Sequence, residues 1–278
     1  STTQHAVGPV FRELLAAREL LWDLVAKDLR VRYRYAAVGF LWAVLEPLAL
    51  MGMLVFVFQV VFRARTDMVR GDLDIPYALI ILTGLVFWQF TAGALNSATA
   101  SLVANQNLLT KVRFPREVIP LATVGQAAVM LGIAVVLLVI AATALGLYPA
   151  LAWLWVLPLF ALQALLTVGL ALLLSALHVR YRDIGHIVAV AVTLGFYASP
   201  VFYPLSFVRE STRFPEWLIT LYLANPMAPL LAGYRQALLE AQAPEPWLFL
   251  WPAVCAAILF VAGVVVFRRA APTFADHV

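Results

Sequence analysis

Charge is scarce in this sequence. Asp, Glu, Lys and Arg make up only 12% of the 278 residues, about half the share of an ordinary soluble domain. Lysine is almost missing: Lys27 and Lys111 are the only two. Neither follows a glycine-rich loop and no G-x-x-x-x-G-K-[ST] occurs, so the chain does not cradle ATP phosphates in that way. Cys255 is the single cysteine, which excludes an intrachain disulfide. There is no H-E-x-x-H and no Cys/His cluster. His178 and His186, with Arg182 between them, read as interfacial side chains at a loop rather than as metal ligands. An apolar core close to the start is also lacking. The first apolar run begins near Ala36, behind a charged segment, so no cleaved secretory signal is expected.

Apolar residues fill the space that charge leaves. They account for 64% of the chain, with a mean hydropathy of +0.92. This composition predicts an all-α integral membrane protein. A span needs about 20 apolar residues, and six segments meet that: 36–62, 75–103, 118–147, 151–177, 184–205 and 248–267. Leu147-Tyr148-Pro149-Ala150 is a tight turn between the third and fourth. Pro158 and Pro200 fall inside spans, where kinks are tolerated if neighbours satisfy the freed carbonyls. Thirteen of the 19 Lys and Arg fall on the side that holds both termini. That bias orients both termini to the cytoplasm, and it accounts for the pI near 9.4 without nucleic acid.

Two regions are apolar without spanning. Residues 1–35 form a cytoplasmic amphipathic segment. Val10, Leu14, Ala17, Leu21, Leu24 and Val25 recur at helical spacing, and Asp23/Lys27 and Asp28/Arg32 are favourable i,i+4 pairs. This reads as a helix lying on the inner membrane surface, ahead of a six-span domain over residues 36–278. Before the last span, EWLITLYLA and APLLAGYRQALLE are too short to cross. They are expected to dip into the outer leaflet and return, sheltered by protein. Glu46 is the one carboxylate deep in a span, and an intramembrane acid is a functional candidate by default.

The segments RVRYRYAAVGFLWAVLEPLAL, NQNLLTKVRFPREVIPLA, HVRYRDIGHI, FYASPVFYP and LANPM, followed by Tyr234-Arg235, occur in this order. Together they resemble the membrane subunits of ABC-2-type polysaccharide exporters, the permeases that move O-antigen, teichoic acid and related glycans. The resemblance spans nearly the whole chain. It implies a homodimer of six-span subunits in a bacterial inner membrane, clasped to two copies of a cytoplasmic ABC ATPase that binds ATP and Mg. This chain then holds no cofactor, metal or catalytic residue of its own. The substrate is a lipid-linked glycan, often on an undecaprenyl-pyrophosphate carrier.

The resemblance also places sites. The loop after the second span corresponds to a coupling helix that docks into the ATPase, which points to Asn107, Leu108, Leu109, Thr110, Lys111 and Arg113. Leu108 and Leu109 are expected to form an apolar knob facing the ATPase, and Pro115 to stop the helix. Arg30, Arg32 and Arg34, alternating with Tyr33 and Tyr35, are candidates to grip a lipid pyrophosphate, since a guanidinium matches phosphate with parallel hydrogen bonds; membrane anchoring is the other use of such a run. Trp42, Glu46, Phe87, Trp88, Phe196, Tyr197 and Tyr203 are candidates for the translocation path, the alternative for the aromatics being a belt at the lipid interface. Three other readings stay open at this point: an ABC-2 exporter of a small lipid or drug, an intramembrane enzyme acting on polyprenyl phosphates, and a secondary transporter. The enzyme would require a cluster of acids or a metal site. The secondary transporter would require two related halves, which are not visible.

Overall fold

The computed structural model describes residues 18–33, 41–61, 69–70, 73–111, 114–209 and 214–274. Helices dominate: α1 (Arg18–Tyr33), α2 (Trp42–Val55), α3 (Tyr77–Ala104), α4 (Gln106–Lys111), α5 (Val118–Ala144), α6 (Val156–Arg180), α7 (Ile184–Tyr197), α8 (Ser206–Arg209), α9 (Glu216–Leu223), α10 (Met227–Leu238) and α11 (Trp247–Ala270). The exception to the all-helical expectation is a small antiparallel hairpin, β1 (Val69–Arg70) with β2 (Leu73–Asp74), in register Val69↔Asp74.

Among the described residues, four helices are long and apolar enough to cross a bilayer: Tyr77–Ala104, Val118–Ala144, Leu151–Arg180 and Trp247–Ala270. The first predicted span instead runs as the 14 residues of α2 continued by a six-residue π-helical stretch, Phe56–Val61. The fifth ends early. Its helix, α7, has 14 residues, about 21 Å at 1.5 Å per residue against a hydrocarbon core of about 30 Å. Pro200 does not kink a longer helix. The chain leaves the helix just before it, as the restricted backbone of a residue preceding proline favours. The two predicted short segments are α9 and α10, and one further turn of helix, α8, precedes them.

Helix α3 is the axis of the packing, with α2, α5, α6, α7 and α10 all laid against it. Its apolar residues are hydrophobic all round rather than on a stripe, and Ile80, Ile81, Phe87, Ala94, Ala98 and Leu102 are fully buried. A wholly apolar helix is stable only when surrounded. One polar network crosses this core. The Gln163 amide on α6 donates to the Phe87 carbonyl at 2.7 Å and to Thr91 Oγ1 at 3.0 Å, while Tyr234 donates its hydroxyl to Gln163 Oε1 at 2.8 Å. Thr167 and Thr91 share a hydrogen bond at 3.2 Å. The Phe87 and Tyr234 rings stack with centroids 3.5 Å apart. Every polar atom of this set is partnered, which is the condition for burying such groups in a low-dielectric interior.

The turn after α5 needs one left-handed residue, and Gly146 supplies it with φ 88°. Leu147 N–H then reaches back to the Ala142 carbonyl at 2.9 Å, closing the helix as a glycine C-terminal cap does. Helices α6 and α11 touch backbone to backbone: a Cβ on Gly263 would lie 2.1 Å from the Gly169 carbonyl oxygen. Gly263→Val is therefore expected to force the two longest-packed helices apart and to cost about 1–3 kcal/mol. Gly132 on α5, with nothing within 4 Å of a built Cβ, is the control. Thermal unfolding in detergent should fall sharply for Gly263→Val and stay level or rise for Gly132→Ala.

Candidate functional site

The helices alternate direction, so the bundle has two ends of different chemistry. At the basic end, α3 stops at Asn105. The Asn105 side chain donates to the Ser101 carbonyl at 2.9 Å, its own carbonyl accepts from Leu108 and Leu109 N–H, and its Oδ1 accepts from Lys27 Nζ at 3.3 Å. Asn105 thus ends one helix, starts α4 and ties both to α1. The apolar face of α1 packs on the start of α5, with Leu24 and Val25 against Val118 and Ala122. Burial raises the Asp28 carboxyl above its ordinary range, with Lys27 pulling it back down. On the other side of α4, Glu117 pairs with Arg268 Nε at 3.4 Å, and Arg116 donates to the Ala271 carbonyl. The chain segments on either side of this loop, α1 and the end of α11, therefore meet on one face.

Helix α4 lies where the coupling helix was expected, but its leucines do not face outward. Leu109 is buried among Leu102, Ile119, Leu172, Val179, Phe267 and Phe274, and Leu108 packs on the cluster of α1 with α5. The physical reason is local: three helix ends converge here and leave an apolar hole that two leucines fill. Gln106 and Asn107 occupy the exposed side of the turn. Arg113 lies outside the described residues, as do the side chains of Thr110 and Lys111.

Of the proposed phosphate-gripping set, Arg30 is exposed on the last turns of α1, its Nε donating to the Ala26 carbonyl at 3.2 Å. Arg34 and Tyr35 lie outside the described residues, as do the side chains of Arg32, Tyr33 and Glu46.

The opposite end is aromatic. The candidates for the translocation path divide here. Phe87 is fully buried against Tyr234, and Trp88 is wedged against Gly195, where a Cβ would sit 2.8 Å from its ring. Both are core residues of the chain and offer little surface to a sugar. Phe196, Tyr197, Phe202 and Tyr203 form a run of edge-to-face rings, with Tyr197 63% exposed. A cavity of about 380 Å³ opens beside them, lined by Tyr197, Tyr203, Phe214, Tyr222 and Asn225 among others. Tyr203 and Tyr222 share a hydrogen bond at 3.0 Å, and burial pushes the Tyr222 hydroxyl up. Trp42 is half exposed on α2.

Arg235, the residue that organises this end, was not among the expected site residues. It is 2% exposed, and burial pushes its guanidinium down to about 10. It donates to the carbonyls of Ile80 (3.1 and 3.3 Å), Val201 (2.7 Å) and Tyr203 (3.0 Å). Gly84 makes room for this: a Cβ there would lie 2.0 Å from Val201 O and 2.6 Å from Arg235 Nη2. The signal was present in the sequence as an arginine inside the apolar run APLLAGYRQALLE, and intramembrane charge deserves the weight given to Glu46. Among the described residues no group of three or more His, Cys, Asp or Glu is placed to hold a metal ion.

Comparison with known proteins adds the following. The family model described as "ABC-2 type transporter" matches residues 19–239. The O-antigen export system permease protein RfbA of Myxococcus xanthus is 32% identical over 273 residues, covering 96% of this chain and 98% of its own length. An RfbA of Klebsiella pneumoniae is 28% identical over 260 residues, 93% of this chain and 94% of its own length. The capsule polysaccharide export inner-membrane protein CtrC of Neisseria meningitidis is 26% identical over 266 residues, 92% of each chain.

Two variants test the geometry. Arg235→Met should leave the Val201 and Tyr203 carbonyls without a donor, at about 1–3 kcal/mol for each unsatisfied group. Gly84→Ala should produce the same lowered thermal midpoint and the same new protease cuts between α7 and α11, through displacement of Val201. At the basic end, Leu109→Asp buries a charge in an apolar cluster, at about 3 kcal/mol or more. It should reduce the yield of folded chain even when no partner is present; normal yield and melting would place Leu109 at the surface.

Proposed function

Because the chain belongs to the ABC-2 type transporters, we propose that it is the membrane permease subunit of an ATP-driven exporter that moves a lipid-linked polysaccharide, O-antigen-like, across the inner membrane of a bacterium. The observation that carries this reading is the end-to-end match, 96% of this chain and 98% of the relative, to a protein named as an O-antigen export permease. The family makes the chain a transporter subunit rather than an enzyme. The sequence has no loop of the kind that cradles ATP phosphates, so hydrolysis falls to a partner ATPase, present in two copies and holding ATP and Mg, on a homodimer of this chain.

The architecture fits that division of labour. The basic end gathers α1, α4 and the end of α11, and the bias of Lys and Arg to this side favours the cytoplasm. The ATPase then meets the exposed Gln106–Asn107 side of α4, and the buried leucines transmit the contact to α3, α5 and α11. The same charge bias would put both termini on this side. Arg30 is exposed at the same end, and the run of Arg30, Arg32 and Arg34 in the sequence suits a pyrophosphate entering from the inner leaflet. In the full protein α2 with its π-helical extension, and α7 with the stretch after it, make the fifth and sixth crossings. Helices α9 and α10 re-enter from the far side, and the aromatic cavity beside Tyr197 and Tyr203 lies where the glycan leaves.

The test is genetic and biochemical. Deleting the gene should abolish surface glycan and leave it accumulating inside. The chain expressed with its neighbouring ATPase should copurify with it and hydrolyse ATP, and alone it should not. Unchanged surface glycan, or hydrolysis by the isolated chain, overturns the reading. In a Cys255→Ala background, Asn107→Cys should stay unlabelled by an impermeant thiol reagent in intact cells while Glu216→Cys labels; the reverse pattern inverts the topology.

A further inference from the structure

A second cavity, of about 590 Å³, lies at the basic end between the last turns of α6 and α11, remote from the aromatic end. Its inner wall is apolar: Ala176 and Phe274 are buried, and Val266 is partly buried. Its rim carries Arg180, Tyr181 and Arg269, all three exposed. The Arg180 guanidinium lies over the Tyr181 ring at 5.6 Å. Among the described residues that line the cavity none is acidic. Of the two consecutive arginines that end α11, Arg268 turns to Glu117 at 3.4 Å, and Arg269 turns into the cavity.

We propose that this cavity binds an anionic phospholipid of the leaflet at the basic end. An acyl chain lies along Ala176, Val266 and Phe274, and the phosphate sits between Arg180 and Arg269. Three observations point to a lipid rather than to a segment of protein. The cavity lies at the ends of two bilayer-crossing helices, so its apolar wall is at acyl depth and its arginines at headgroup depth. Its apolar wall and cationic rim match the two parts of one such lipid in the right order. The walls offer two guanidiniums and an aromatic edge but little else to satisfy the backbone of an inserted peptide. Basic pockets between spanning helices on the side rich in Lys and Arg are suited to anionic headgroups. The proposal does not depend on what the transporter carries.

The test uses the full chain, purified in detergent and titrated with phosphatidylglycerol or phosphatidylcholine under native mass spectrometry. The wild type should retain phosphatidylglycerol at concentrations where phosphatidylcholine is lost. Arg180→Gln with Arg269→Gln should weaken that retention by about tenfold or more, while Arg209→Gln, at the opposite end, should leave it unchanged. The Lys pair should keep most of it, and this variant also guards against misfolding, together with gel-filtration profile and thermal midpoint. Equal retention of the two lipids, or full retention by the double-Gln variant, overturns the proposal. So does displacement of the lipid by millimolar inorganic phosphate, which would make the site one for a free anion. Loss of ATPase copurification with lipid retention intact would assign the face to protein docking instead, and overturn it equally.

Discussion

A bilayer gives the backbone no water to bond with, so any stretch that leaves the helix at membrane depth must find its donors inside the protein. In the proposed six-crossing arrangement the stretch 197–205 is where this protein meets that constraint. The Tyr197 carbonyl accepts from the Tyr203 hydroxyl at 3.3 Å, Ala198 from the Asn225 amide at 3.2 Å, and Phe202 from the Tyr77 hydroxyl at 2.7 Å. Val201 and Tyr203 accept from Arg235. Side chains from α3, α10 and the turn before α10 thus replace the hydrogen bonds that a longer α7 would have made for itself. That is why α7 can stop after 14 residues, why Gly84 has no side chain, and why a buried arginine is retained with no ion pair to a carboxylate among the described residues, Glu240 acting on it only from a distance. Its charge is met by carbonyl dipoles.

The same accounting explains the other end. Lys27, Asn105, Glu117, Arg268 and Arg116 are spent on joining chain segments to one another. Exposed ion pairs contribute little stability, typically below about 1 kcal/mol. Of the two leucines of α4, Leu109 is buried beneath them and Leu108 partly so, and full burial of such a side chain is worth about 1.5–3 kcal/mol. In the proposed exporter a push on α4 from the cytoplasm is therefore felt by four helices, since Leu109 belongs to one apolar cluster with residues of α3, α5, α6 and α11. The polar residues set the register of these contacts and the leucines hold them.

Periodicity and composition made some of this legible and left some of it dark. The four long spans and α1 were readable because an apolar run of bilayer length and an i,i+4 pattern are local signals, whereas α4 was placed by the family resemblance. The ABC-2 resemblance was readable because its motifs are spread along the whole chain in order. The direction of Leu108 and Leu109 was not, because a helix of six residues has no face until its neighbours are known. The early end of α7 was hidden for a related reason. Tyr197 to Leu205 is as apolar as a span, and only the donors arriving from Tyr77, Asn225 and Arg235, up to 125 residues away along the chain, make the non-helical path affordable. The burial of Phe87 and Trp88 was not legible either, because composition does not distinguish an aromatic that packs inside the chain from one that faces a path.

What remains exposed is as informative as what is buried. The network of Gln163, Thr91, Thr167 and Tyr234 binds α3, α6 and α10 into one unit, and the Gly169–Gly263 contact adds α11. The two shorter apolar segments join that unit by one side only. Trp42, Met53 and Phe56 on the first, and Ile187, Val190, Leu194 and Tyr197 on α7, are half or more exposed. Elements with few buried contacts open at lower free energy than a packed core. A conduit must part somewhere, and in a homodimer of this chain it would part most easily where such lightly held segments face one another. The aromatic cavity supports that placement, since its wall includes Tyr197 from the end of α7 and Tyr203 from the stretch that Arg235 secures. One side of the exit would then move with α7, and the other would stay fixed to α3.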